Sequence, residues 1–173
     1  MDERSQEALI ARLETSLAKL CAAVDTIPAD RAIAAPASGG WSVLEIVEHL
    51  GIVEKRSLTR IQTAERGNGD PSRDVELVAF ATDRTSKREA PAVLHPQGTF
   101  SSVNAALAAV SASRGETIAF CRTHNLAELA GLVTRHPLFG TLDAYQLALS
   151  AAIHMERHTE QIGETERSLA AAK

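Results

Sequence analysis

Residues 142–162 are apolar around most of a helical circumference, yet the stretch carries His154 and His158 one turn apart. A helix that is hydrophobic on nearly every side is stable only when other elements surround it. The rest of the chain must therefore supply partner helices, and its periodicity does so. From about residue 3 to 25, Ile10, Leu13, Leu17, Leu20, Cys21 and Val24 recur at spacings of three and four, one face of an amphipathic helix that Pro28 ends. Residues 27–40 carry Pro28, Pro36, Gly39 and Gly40 and read as a loop. Ser42 and Glu45 form a Ser-x-x-Glu capping box that opens a second helix. Its stripe is Val43, Ile46, Val47, Leu50, Val53, Leu58 and Ile61, and the run Gly67-Asn68-Gly69-Asp70-Pro71 stops it.

The span 67–98 reads mostly as connector, with a short helix near 75–80. A third helix covers about 102–123, with Val103, Leu107, Val110, Ile118 and Cys121 inward. Arg114 falls within that stripe. Arginine is seldom fully buried, so it is expected at the surface of a slightly rotated helix. The loop 136–140 precedes the fourth helix, for which Thr141 is the expected N-cap and Asp143 a first-turn acid. The expectation is all-α: a four-helix bundle, one domain over 1–173, with one long crossover between helices two and three. Such a crossover lets helices two and three run parallel.

Composition narrows the function. The chain has 173 residues and a formal net charge of −4. That balance argues against a nucleic-acid binder, which needs a basic face, and against a polybasic membrane anchor. Aromatics make up only 3%, which suits close-packed helices better than strands. Met1-Asp2-Glu3-Arg4 leads into no apolar run and no stretch is long enough to span a bilayer, so a cytoplasmic location is expected. Cys21 and Cys121 lie on apolar stripes and are expected as buried packing residues.

The six histidines separate into two groups. His95 and His136 each precede a proline, which favours extended or turn backbone, and His124 ends helix three. These three are read as structural. His154 and His158 are spaced i, i+4, about 40° apart around the helix, so both imidazoles share one face. Alone, such a pair fits either a metal site or two hydrogen-bonded core histidines. Glu156 points away from them, so a zincin-type base is absent there. His49 sits at the edge of the second helix's stripe. Three inward imidazoles in a small core are costly unless they partner each other or an ion. Their axial levels match if helices two and four are antiparallel. A three-histidine site with open positions is the catalytic pattern for zinc.

Three segments carry a resemblance: Gly40-Trp41-Ser42-Val43-Leu44-Glu45-Ile46-Val47-Glu48-His49-Leu50; His136-Pro137-Leu138-Phe139-Gly140-Thr141-Leu142; and His154-Met155-Glu156-Arg157-His158-Thr159-Glu160-Gln161-Ile162. In order and spacing the chain resembles the DinB/YfiT-like superfamily over roughly residues 3–165. The resemblance implies a four-helix bundle, often dimeric, and a divalent metal held by His49, His154 and His158. It also implies relatives that are thiol-dependent transferases using bacillithiol, mycothiol or glutathione. Trp41 is expected to pack at the start of helix two, and Gln161 to hydrogen-bond a ligand rather than bind metal.

Three functions compete. A thiol-dependent S-transferase needs a metal, a thiol and a small-molecule electrophile, but no protein nucleophile. A metal-dependent hydrolase needs an acid or base beside the metal. Glu45, one turn before His49, is the catalytic candidate for that role, with helix capping as its other reading. A non-catalytic metal-binding module would use the same histidines. Zinc, nickel and iron all suit imidazole ligands. A homodimer is expected, because helix four is more apolar than one bundle face requires.

Overall fold

The computed structural model describes residues 4–37, 39–83 and 89–171. The first helix, α1 (Gln6–Asp25), starts where the Ser5 side chain accepts from Ala8 N; Glu3 lies outside the described residues. A single turn, α2 (Ala29–Ala32), leads to α3 (Val43–Gln62), whose Ser42/Glu45 capping box is formed in both directions. The crossover then holds β1 (Glu65–Arg66), α4 (Arg73–Thr82) and a 3₁₀ turn (Ala92–Leu94). After it come α5 (Val103–Thr123), α6 (Leu126–Ala130), β2 (Leu132–His136), β3 (Gly140–Asp143) and α7 (Ala144–Ala171).

The four long helices form a square in which α1 and α3 each pack on both α5 and α7. The core fixes their directions. At one end Leu20 and Val24 of α1 meet Met155 and Ile162 of α7, together with the starts of α3 (Ile46, Val47) and α5 (Val103, Ala106). At the other end Leu9 and Leu13 meet Leu147 and Ala148, together with Ile61 of α3 and Ile118 of α5. So α1 runs parallel to α7, α3 parallel to α5, and the two pairs oppose each other. The long crossover between helices two and three is as expected: it returns the chain along the bundle and lays α4 against α7.

The apolar circumference of α7 is covered within one chain, by α1, α3, α4, α6, β2 and β3. A second copy is not needed to bury it. Cys121 is buried and Cys21 only half-buried. Burial pushes the Cys121 thiol up to about 11, so it stays protonated.

Two sequence expectations change here. The segment before α7 is not a plain loop. It is the hairpin of a three-stranded antiparallel sheet ordered β1-β2-β3, with Val133 opposite Asp143, Arg135 opposite Thr141 and Glu65 opposite Val133. Gly140 holds φ +70°, the left-handed residue that closes a three-residue hairpin loop. Because Thr141 belongs to this ladder and is exposed, it cannot cap α7. Asp143 does so instead: its Oδ1 accepts from Gln146 N at 2.8 Å, and its own N–H donates to Gln146 Oε1 at 3.1 Å. Asp143→Ala should therefore cost about 1–2 kcal/mol in urea denaturation, and Asp143→Asn, which keeps the acceptor, less. Equal losses would show that Asp143 acts through its charge on Arg4, 2.5 Å away, and not as a cap.

Arg114 is also not where its residue type suggests. It is fully buried, and all five of its N–H donors are used. Nε and Nη2 grip Glu54 of α3 at 2.9 and 2.8 Å. Nη1 reaches the Leu13 carbonyl and Ser16 Oγ of α1, and Nη2 the Ala151 carbonyl of α7. One side chain thereby ties all four long helices together.

Candidate metal centre

The capping box at Ser42 fixes the start of α3, and two turns on the helix delivers His49 to the bundle interior, only 1% exposed. The i, i+4 spacing on α7 brings His154 and His158 to meet it. His154 Nε2 lies 3.4 Å from His49 Nε2 and 3.1 Å from His158 Nε2. One ring nitrogen from each residue falls within 4.8 Å of the others. The three imidazoles expected together are together.

The outer nitrogens define the protonation. His49 Nδ1–H donates to the Leu94 carbonyl at 2.7 Å, and His158 Nδ1–H donates to Gln161 Oε1 at 2.7 Å. A neutral ring that donates through Nδ1 carries a bare lone pair on Nε2. Two lone pairs therefore converge on the third imidazole, whose Nε2 can donate to only one of them. Burial holds His49 below its ordinary pKa. It holds His154 well below, helped by His158 and His49 themselves. Protonation does not relieve the clustering, whereas one cation does. Ligand distances of about 2.0–2.1 Å in a tetrahedral zinc site imply nitrogens about 3.3 Å apart, close to the 3.4 and 3.1 Å that separate His154 Nε2 from the other two rings. The donor set fits one divalent ion.

The surroundings hold the rings in place. Trp41 packs on His49 with centroids 4.8 Å apart and stands edge-on to His95 at 5.9 Å, and it also packs on the core at the start of α3, as expected. The loop that follows Leu94 is anchored by Glu48, which sequence reading passed over. Glu48 is 2% exposed and accepts from the N–H groups of Gln97, Gly98 and Thr99. Burial opposes its charge, but these bonds, Thr99's foremost, hold its carboxyl below the usual range. The signal was a carboxylate inside the stripe beside His49, paired with Gly98 in the connector.

Glu45 does not join the site. Its Oε2 accepts from Ser42 N at 2.7 Å and Ser42 Oγ at 2.9 Å, so the capping reading is the one realised. Glu156 pairs with Arg12 on the far side of α7, and His124 bonds the Phe120 carbonyl at the end of α5.

The triad forms part of the wall of a cavity of about 450 Å³. Trp41, Leu77, Phe80, Leu94 and Phe139 make that wall largely apolar. His95, His136 and Arg157 also line it, as does the exposed Glu89. Arg157 Nη1 donates to the Asp83 carbonyl. Sequence reading placed His95 and His136 correctly in extended backbone, but missed that the folded chain brings both to this cavity.

The family model described as the DinB superfamily matches residues 12–162. The fold is similar to the solved structure of YfiT from Bacillus subtilis, described as a probable metal-dependent hydrolase with an unusual four-helix bundle topology. The likeness has a TM-score of 0.67 at 20% identity, covering 98% of this chain and 92% of that one. No protein of curated function matches the chain. With the family match running through both histidine-bearing helices, the chain belongs to the DinB superfamily.

Proposed function

We propose that the protein is a metal-dependent enzyme in which His49, His154 and His158 hold one divalent cation beside the apolar cavity. The observation that carries this is the pair of Nε2 lone pairs aimed at one point, each fixed by an acceptor on the opposite ring nitrogen. When bound, such a cation lowers the pKa of a thiol or water that reaches it, giving a nucleophile at neutral pH. The chain's own part is orientation and exclusion. The Leu94 carbonyl and Gln161 hold two rings in register and raise their basicity. Trp41 locks the His49 ring, and the apolar walls favour a small molecule with much hydrocarbon surface.

Thiol S-transfer is the first reading, with a low-molecular-weight thiol as co-substrate. A free thiol titrates near 8.5, so little assistance is needed to ionise it. Hydrolysis asks for an acid or base at the site. Among the described residues, the only carboxylate on the cavity wall is Glu89, which is exposed. Hydrolysis is the second reading, favoured by the likeness to YfiT. The test pits 1-chloro-2,4-dinitrobenzene with glutathione or cysteine against p-nitrophenyl acetate, before and after metal removal. Chelator-sensitive conjugation supports the first reading and chelator-sensitive ester cleavage the second. Neither activity would leave a binding module.

Metal removal should lower the melting temperature while the helical circular dichroism spectrum persists at room temperature. The bundle has its own core, so the ion adds stability by mass action, about 2.7 kcal/mol at a hundredfold excess over Kd. Collapse of the spectrum on chelation would make the ion structural.

A further inference from the structure

His136 ends β2, and its imidazole lines the same cavity as the triad without belonging to it. Its Nδ1 accepts from Leu138 N at 3.2 Å and Phe139 N at 3.4 Å, across the turn of the hairpin. Both partners are donors, so Nδ1 must offer its lone pair and the ring proton sits on Nε2. The ring stacks on Phe139, with centroids 5.0 Å apart and planes 28° from parallel. Phe139 in turn stands edge-on to Phe80 of α4 at 4.8 Å. The hairpin turn thus fixes both the tautomer and the position of this ring.

Burial, with Arg60 nearby, pushes the His136 pKa down to about 4, so the ring is neutral under ordinary conditions. Among the described residues Nε2–H meets no acceptor, and it is not among the buried atoms that lack a partner, so it is open to solvent. The neighbouring His95 differs, because its Nε2–H is spent on the Ala90 carbonyl at 2.7 Å. The ring thus adds one neutral donor of fixed direction to a largely apolar wall, where Trp41, Ser57 and Gln161 are among the other neutral polar side chains. A small-molecule site commonly has this composition: hydrocarbon surface for affinity, and a few placed polar groups for orientation.

We propose that His136 is a specificity-determining residue whose Nε2–H donates a hydrogen bond to a carbonyl-type oxygen of a small apolar substrate held in the cavity. This rests on the proposed function only in taking the cavity as the substrate site. Its test is therefore run on the metal-free protein by NMR, with acetophenone and α-methylstyrene as probes. They share a shape but differ in a carbonyl against a methylidene group. Long-range ¹H–¹⁵N spectra should show the Nε2–H tautomer for His136. Acetophenone should bind about fivefold more tightly than α-methylstyrene, the worth of one ordinary hydrogen bond. In His136→Asn the amide oxygen can still accept from the turn, but no donor stands where Nε2 was, and the preference should vanish. His136→Gln, which restores a donor near that point, should recover part of it. Equal affinities in the unaltered protein, binding of neither probe, an Nδ1–H tautomer, or a preference that survives His136→Asn would each overturn the proposal. The unaltered-protein comparison needs no variant to fold. Metal content, measured alongside, reports separately on the triad.

Discussion

Glu54→Ala is expected to destabilise the protein by about 3–5 kcal/mol, the cost of leaving a buried charge without its partner. Glu54 is 2% exposed and Arg114 is fully buried. Removing the carboxylate strips Arg114 of two of its five hydrogen bonds and strips Thr117 Oγ of its 3.0 Å bond to Glu54. No water-exposed route is open to the guanidinium, since its other donors hold Leu13, Ser16 and Ala151 in the bundle's interior. Replacing both partners with apolar residues, Glu54→Leu with Arg114→Met, should recover much of the loss, because the burial penalty of the ions disappears with them. Urea denaturation of the single and double variants reads this directly. A loss under about 1 kcal/mol for Glu54→Ala would mean that the pair behaves as a surface ion pair. The network also bears on the site: it grips the Ala151 carbonyl less than one turn before His154.

His154→Ala is expected to abolish stoichiometric metal uptake. His154 Nε2 is the nitrogen that approaches both of the others, at 3.4 and 3.1 Å. Its loss leaves two imidazoles from different helices and no third donor among the described residues. Gln161→Ala, which frees the outer nitrogen of His158, should weaken binding by about 10- to 100-fold without abolishing it. Equilibrium dialysis with zinc, read by mass spectrometry, separates these outcomes. Unchanged circular dichroism in both variants would confine the effect to the site. Full uptake by His154→Ala would remove that residue from the ligand set.

The sequence made the bundle legible because periodicity, caps and breakers act locally. The stripes of α1, α3 and α5 lie within a few residues of where they are expected, and the crossover's length announced a parallel pair. The histidines were legible for the same reason: i, i+4 spacing is a property of one helix, and axial level needs only a count of residues. What escaped depends on partners distant in sequence. Arg114 and Glu54 each sit within an apolar stripe, Val110-Arg114-Ile118 and Leu50-Glu54-Leu58 at spacings of four. Either alone reads as an anomaly. Only the parallel alignment of α3 and α5 makes them a pair. The strands were missed because β1 has two residues and pairs with a segment far along the chain. That pairing took Thr141 out of the helix and handed the cap to Asp143. Glu45 shows the opposite case, a residue with two local readings of which the nearer hydrogen bonds to Ser42 prevailed.

X-ray absorption spectroscopy on the untagged protein, loaded with zinc and freed of excess ion, tests the central claim most directly. The account predicts one ion per chain with three imidazole nitrogens at about 2.0–2.1 Å and exchangeable water oxygen completing the shell. Failure to retain a stoichiometric ion, or a shell with fewer than three imidazoles, would contradict it.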